Sequence, residues 1–488
     1  MYKFIYTPFE TKVEPALSED IINKIFKYQS VSFTRFDEVS RRKVKYPIRK
    51  VIDWNFYKDD KFPSGFLSDV IQQLEGVDSF NIESPNFGIP SKEFQLESEF
   101  VNFLFQRNIN LRYFQEEPVE LIKEFGNGVI EIGTGGGKTI FYGNLVQSLG
   151  VKTLILTIDL ASKDQTYKEL IDMFGETNVA TIDMKDYYEY PIVVANIQNC
   201  WAKLKKIDSC YISFCSQIKL LIVNEAHHVN ESMGKQGLAN TWYNVVMNIP
   251  AWYRVGATGT IPKEGSLGRA LLTGGIGPVI YSKPTTELIK EGFATPIEVH
   301  VYTKQSDNQE HTQSIQAYKN MVEDSDFIPW IAAIALKYVN EGKKIGIFCD
   351  WVELQTLALE KILGSLCRVV HGGNKGLRES IFDSYKRNNF PILIGTVFSE
   401  DINIPAMDVG IILGNKKNEK KINQRVGRIA RLFEGKDKGI FVIPFLQDYK
   451  QQLKNGKLKK VNGILAKHSE EGIRILEKQG YEIIYKEL

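Results

Sequence analysis

The stretch VIEIGTGGGKTIF, residues 129–141, constrains this chain more than any other part of it. An apolar strand, Val129 to Ile132, runs into Gly133-Thr134-Gly135-Gly136-Gly137-Lys138-Thr139, and a helix-like segment follows. Glycines let successive backbone N–H groups turn inward around an anion, and the start of a helix adds its positive dipole end. Lys138 can then reach the β- and γ-phosphates of a nucleotide, and the Thr139 hydroxyl can ligate Mg²⁺.

The pattern around this loop extends it into a fold. From about 101 to 295, short apolar runs (Thr153 to Leu156, Ile192 to Ala195, Leu220 to Val223) alternate with longer helical segments. The alternation returns from 296 to 446 with Ile345 to Phe348, Ile392 to Ile394, Val409 to Leu413 and Ile440 to Ile443. Buried runs between helices are the mark of a parallel sheet covered on both faces, so two consecutive α/β units are expected, linked near Gly292 to Pro296. Residues 1 to 100 read as a small mixed α+β domain, with Ser18 as the N-cap of a helix carrying Ile21, Ile22, Ile25 and Phe26. Residues 447–488 read as a basic helical tail. Every nucleotide-binding residue lies beyond Leu111, which makes the N-terminal domain separable in expectation.

Composition excludes several classes. With 43% hydrophobic and 25% charged residues, the 488-residue chain is neither disordered nor collagen-like. No apolar run approaches the ~18 residues of a membrane helix, and the start, MYKFIYTPFETK, lacks the apolar core of a signal peptide. Five cysteines without a Cys-x-x-Cys pair argue against structural zinc or a disulfide framework, and a cytoplasmic protein without membrane partners is expected. The net charge is only +2, so any basic surface must be local. Arg35, Arg41, Arg42, Lys43, Lys45, Arg49 and Lys50 form one such cluster; Lys450, Lys454, Lys457, Lys459 and Lys460 form another. Flanking a nucleotide-driven core, both suit contacts to a phosphate backbone.

Three further patterns carry chemistry. Gln115 stands some twenty residues ahead of the glycine loop, at the head of an amphipathic helix, where its amide suits an adenine edge. About ninety residues after the loop, LLIVNEAHH ends an apolar strand in Asn224-Glu225-Ala226-His227. ATP-hydrolysing phosphoryl-transfer enzymes carry an acid for Mg²⁺ at such a strand end and a second acid that orients the attacking water. Glu225 can do the second job, whereas Asn224 holds the first position without its charge. Two readings fit: an introduced Asp-to-Asn change, or a natural Asn with Glu225 and Thr139 holding the metal. Finally, Gln424-Arg425-Val426-Gly427-Arg428-Ile429-Ala430-Arg431 puts Arg428 and Arg431 three apart, on one face if the segment is helical, where two guanidinium groups can stabilise charge on a γ-phosphate.

In this order the elements resemble the superfamily 2 helicases, over residues 111 to 431. Gln115 matches the Gln motif, Gly133 to Thr139 motif I, and Leu154 to Gln165 motif Ia. Asn224 to His227 matches motif II, with Asn where the family has Asp. Thr258-Gly259-Thr260 resembles motif III, Lys344 to Asp350 motif IV, and Gln424 to Arg431 motif VI. In motif V, GTVFSEDINIP keeps Thr396, but Asp401 and Asn403 replace the expected Gly and Asp. Ile132, where a strict phosphate loop has Gly, is the helicase-type variant.

The resemblance implies two tandem RecA-like parallel-sheet domains sharing one ATP and its Mg²⁺, behind a small N-terminal DNA-binding domain. It implies catalytic roles for Lys138, Glu225, His227, Gln424, Arg428 and Arg431, and roles in DNA contact or coupling for Thr258, Thr260 and Thr396. Outside the motifs, IDWNFYKDDKFPSGFLSDVIQQLEG and NGILAKHSEEGIRILEKQGYEII are similar to UvsW-type phage helicases. That likeness implies unwinding or branch migration of forked DNA in phage recombination, replication and repair, through sequence-independent backbone contacts by a monomer. A double-strand translocase, a hydrolysis-impaired ATP-gated DNA clamp and an enzyme acting on RNA are the competing readings.

Overall fold

The apolar runs become strands of two separate parallel sheets. A computed structural model describes residues 2–7, 10–34, 48–74, 79–83, 89–230, 241–309, 322, 326–396, 407–413, 419–433, 435–454 and 457–488; for 29–34, 48–53, 306–309, 374, 375, 420, 449–454 and 457–461 only the backbone is described. The chain divides into two compact units. One comprises residues 1–132 and 137–283, the other residues 284–488 with 133–136. The division falls at Lys283/Pro284, slightly ahead of the linker expected near Gly292 to Pro296.

The N-terminal part of the first unit contributes β1 (Tyr2–Tyr6), β2 (Glu10–Glu14), β3 (Lys27–Thr34), β4 (Ile48–Asn55), β5 (Lys61–Pro63) and β6 (Phe80–Glu83). β5-β2-β1-β6 form one mixed sheet and β3-β4 an antiparallel hairpin. The helices Glu19–Ile25 and Leu67–Leu74 complete an α+β layer. Its aromatic core, including Phe4, Phe26, Phe56, Phe62 and Phe66, continues into Ala270 and Leu271 of the helix Leu267–Gly275. Gly65 packs so closely there that a Cβ would stand 1.8 Å from the Thr273 carbonyl oxygen. The expected separability of this layer is therefore corrected. Its apolar surface is shared with a helix of the neighbouring parallel sheet, and removing it would expose both sides to water.

That sheet consists of β7 (Asn127–Ile132), β8 (Thr153–Thr157), β9 (Val179–Thr181), β10 (Ile192–Asn196), β11 (Leu220–Asn224), β12 (Tyr253–Thr258) and β13 (Val279–Lys283). Their order is β13-β7-β12-β11-β8-β10-β9, and all pairings are parallel. TLILT in β8 and IVVAN in β10 are buried along their whole length, as a sheet covered on both faces requires. Strand order then builds the site. β7, β12 and β11 are neighbours, and the carboxyl ends of parallel strands open onto one edge, where ligands of such sheets bind.

The second unit repeats the design with β14 (Ile297–Gln309), β15 (Ile345–Phe348), β16 (Cys367–Val370), β17 (Ile392–Gly395), β18 (Val409–Ile412), β19 (Gly439–Lys454), β20 (Lys457–Asn462) and β21 (Glu482–Lys486). The order β16-β17-β15-β18-β19-β14-β21 is parallel throughout, and β20 alone pairs antiparallel, with β19. Residues 447–488 are thus not a helical tail. β19 runs on into the hairpin with β20, the helix Ile464–Lys478 buries Leu465, Ala466, Ile473 and Leu476, and β21 closes the sheet beside β14. Asp448 anchors the turn into this helix, its carboxylate accepting from the N–H groups of Leu465 (3.2 Å) and Ala466 (2.7 Å). Among the described residues, no helix is long and apolar enough to cross a membrane.

Candidate nucleotide site and its couplings

Ile132 ends β7, and the glycine loop turns at once into the helix Lys138–Leu149. Two glycines make the turn possible: Gly135 and Gly137 hold φ of +89° and +78°, which side chains disfavour. The Gly136 N–H donates to the Gly133 carbonyl at 3.0 Å, and the Gly137 carbonyl accepts from Ile140 (3.1 Å) and Phe141 (3.2 Å). The first helical turn thus closes on Gly137, so the helix begins directly at the loop, as phosphate binding at a helix start needs.

Gln115 clamps this loop from behind. It sits in the first turn of the helix Tyr113–Phe125 and is 3% exposed. Its Oε1 accepts from the Arg112 N–H (3.1 Å), its Nε2 donates to the Gly137 carbonyl (3.4 Å), and its own carbonyl accepts from Asn144 Nδ2 (3.1 Å). Both ends of the amide are engaged within the protein, so its observed work is to fix the loop to the helix start.

At the end of β11 the backbone of Glu225 adopts φ +49°, a left-handed turn costing a non-glycine residue about 1 kcal/mol or more. This turn carries the Glu225 carboxylate to Lys138, and the two form an ion pair with side chains only 11% and 17% exposed. The other carboxylate oxygen lies 3.3 Å from His227 Nδ1, and that nitrogen shares a 2.6 Å hydrogen bond with Thr258 Oγ1 at the end of β12. Thr258 Oγ1 in turn donates to the Thr260 carbonyl (3.0 Å) and accepts from its N–H (3.1 Å). Lys138, Glu225, His227, Thr258 and Thr260 therefore form one continuous polar chain across three adjacent strand ends. Thr258 is fully buried, so as a direct DNA contact it is corrected; its position suits coupling.

Asn224 has a different task from the one its position suggested. Its Oδ1 accepts from the Tyr142 hydroxyl (2.7 Å) and from the Glu225 N–H (3.0 Å). A main-chain N–H can only donate, so oxygen faces it and the amide nitrogen is the end left over, which cannot ligate a cation. Mg²⁺ takes one or two carboxylates with water and phosphate oxygens. Glu225 and the Thr139 hydroxyl fit that donor set. Asn224 does not, and its assignment as a metal ligand is corrected. Tyr142, which holds it, carried no motif signal in the sequence.

In the second unit, the helix Glu419–Ile429 carries Gln424, Arg425 and Arg428. Arg431 lies beyond the end of that helix, so the expected helical face shared with Arg428 is not formed. Arg428 is 5% exposed. Arg425 pairs with Asp350 Oδ1 (3.1 Å) just beyond β15 and lies over the Phe348 ring, a role that the motif pattern did not signal. Asp350 is itself fixed by Gln355, whose Oε1 accepts from its N–H at 2.7 Å. Thr396 follows β17 and its N–H donates to the Val370 carbonyl (3.3 Å).

Of the basic residues, Arg41, Arg42, Lys43 and Lys45 lie outside the described residues, as do Asp401 and Asn403. Lys457, Lys459 and Lys460 are in β20, opposite Lys454, Gln452 and Gln451 of β19.

Comparison with known proteins agrees with this geometry. Residues 108–263 match the family "Type III restriction enzyme, res subunit" and residues 330–433 match "Helicase conserved C-terminal domain". The chain belongs to the superfamily 2 helicases, enzymes that hydrolyse nucleoside triphosphates. It is similar to "Probable helicase D10" of Escherichia phage T5, with 24% identity over 331 residues, 66% of this chain and 68% of that one. It is also similar to "DNA 3'-5' translocase XPB2" of Sulfurisphaera tokodaii, with 22% identity over 391 residues, 70% of this chain and 84% of the relative. The structure of T4 UvsW aligns over all of this chain and 99% of its own, at 15% identity and a TM-score of 0.40.

Proposed function

We propose that this chain is an ATP-dependent DNA helicase that translocates on forked or branched DNA and unwinds it or migrates its branch point, as in phage recombination, replication and repair. The observation that carries the reading is the polar chain from Lys138 to Thr260. It joins the phosphate loop to the residues after β12 through the Lys138–Glu225 ion pair and the contacts of His227, Thr258 and Thr260.

ATP is assigned to the glycine loop, with adenine near Gln115. A bound γ-phosphate competes with Glu225 for the Lys138 ammonium, and the freed carboxylate can accept a proton from, or orient, the attacking water. Thr139 and Glu225 would hold Mg²⁺, which when bound would neutralise charge on the phosphates. His227 loses or gains its carboxylate neighbour in the same event and passes the change to Thr258. Arg428 and Arg431 are assigned to the charge of the transferring γ-phosphate, Gln424 to the same motif, and Thr260 and Thr396 to the DNA side. Lysines of the β19–β20 hairpin and the basic run 41–50 are assigned to backbone phosphates, contacts that position without reading sequence.

ATPase rates with single-stranded, duplex and forked DNA, alongside strand separation on a labelled fork, test the reading. Fork-stimulated hydrolysis with strand separation supports it. Stimulation without separation gives the double-strand translocase instead. The engaged oxygen of Asn224 favours one further alternative, an ATP-gated clamp, which would bind ATP and DNA with negligible turnover.

A further inference from the structure

We propose that Lys436, with Thr295, is the positioning residue of the arginine pair, holding the main chain that carries Arg431. The inference rests on the assignment of Arg431 to the γ-phosphate and adds the device that places it. Arg431 lies just beyond the helix Glu419–Ile429, so its backbone is not part of the regular helix.

Lys436 lies past a turn in which Gly435 holds φ +79° and the Lys436 N–H donates to the Phe433 carbonyl at 3.2 Å. The turn brings the ammonium back to the helix end. There it donates to the carbonyl of Ile429, to that of Arg431 (3.4 Å), and to that of Met407 just before β18 (2.8 Å). All three acceptors are main-chain oxygens, and that of Ile429 is at the carboxyl end of the arginine-bearing helix, where dipoles and orphan carbonyls favour a cation. Thr295 completes the hold from just ahead of β14. Its N–H donates to the Ala430 carbonyl (2.8 Å) and its hydroxyl to that of Arg431 (3.2 Å).

The seating is close. Ile429 packs into notches left by Gly410 of β18 and Gly439 of β19, where a Cβ would come within 2.7 and 2.6 Å of its side chain. Lys436 is only 8% exposed, and burial pulls its ammonium down to about 8, against the pull of the Asp408 carboxylate and with the help of the Lys343 charge. A buried lysine is costly to keep and a methionine would fill the space without that cost. What the ammonium adds is three directed bonds that tie the Arg431 backbone to its surroundings.

Lys436→Met and Thr295→Val, each made in the full chain and again in Arg431→Ala, form the test, with kcat, KM and nucleotide Kd read separately. Lys436→Met should lower kcat by up to about 10²-fold, the scale of a misplaced catalytic group, with nucleotide Kd unchanged. Thr295→Val removes one hydroxyl bond and should cost about 2- to 10-fold, and it decides the matter if Lys436→Met fails to fold. In the Arg431→Ala background neither should cost anything more, because the group they place is gone. Equal losses in both backgrounds, or no loss in the chain that retains Arg431, would overturn the positioning role. Unchanged turnover in Arg431→Ala itself is a different result, and it overturns the arginine assignment on which the inference rests.

Discussion

Replacing Asn224 by Asp is the perturbation that separates the readings of this site most sharply. Both acceptor bonds, from Tyr142 and from the Glu225 N–H, survive the change, since one carboxylate oxygen can take them. The new group is a second, charged oxygen where the amide nitrogen stands. Residues 224 and 225 are 7% and 8% exposed, so two carboxylates on consecutive residues would be held away from water, with the Lys138 ammonium paired to Glu225. A like charge in such a setting costs on the order of 1–3 kcal/mol. Each kcal/mol shifts melting by about 2–4 °C in a domain of 150–250 residues, so Asn224→Asp should melt several degrees lower without nucleotide. Mg²⁺ and ATP should reverse the deficit, because a divalent cation neutralises the pair, and they should stabilise the variant more than the parent chain. ATPase should rise, and the Mg²⁺ concentration for half-maximal rate should fall. Thermal melts across a Mg²⁺ series, with and without ATP, run beside steady-state ATPase, give all of these readings. If melting, rate and Mg²⁺ requirement all stay where they were, position 224 is not at the metal, and the placement of this strand end in the site is wrong.

Lys138→Ala should abolish ATP turnover while leaving DNA binding largely intact, measured by ATPase and filter binding; substantial residual hydrolysis would refute the phosphate-loop assignment. Arg428→Ala and Arg431→Ala should each bind ATP yet hydrolyse it far more slowly, since arginine fingers are worth about 10³- to 10⁵-fold in GTPases. Turnover at the parent rate in both would leave them as structural arginines. Deleting residues 1–95 should give a poorly soluble protein, because Ala270 and Leu271 lose their cover, and a soluble truncation melting as the full chain does would contradict the shared core. Changing Arg41, Arg42, Lys43 and Lys45 to Ser should instead leave melting alone and flatten the salt dependence of fork binding, by about 0.9 in log–log slope for each duplex phosphate no longer neutralised. An unchanged slope would remove that cluster from the DNA interface.

The sequence was most informative where a function needs a fixed local order of residue types. The glycine loop, the strand end at Asn224-Glu225 and the Gln424 to Arg431 run are each contiguous, so their chemistry can be read without knowing what lies next to them. Buried parallel strands likewise announce themselves as unbroken apolar runs, which is why β8, β10 and β11 are legible from residue order alone. The end of the chain is not: residues 447–488 look like a charged helix with flanks, and only the continuation of β19 into the hairpin with β20 and the pairing of β21 with β14 make them part of a sheet.

What tertiary structure alone decided is which of these groups meet. Sequence determined that Lys138, Glu225, His227 and Thr258 exist in motif positions; the order β7-β12-β11 determined that they touch, because parallel neighbours deliver their carboxyl ends to one edge. The same holds for residues with no motif signal at all. Tyr142 takes the Asn224 oxygen, Arg425 takes Asp350, and Lys436 takes three carbonyls, each from a partner tens of residues away or across a turn. A single tyrosine, arginine or lysine in a sequence carries no mark of such a task. Its meaning comes from burial, which makes every polar group find a partner, and burial is a property of the packed chain rather than of the residue.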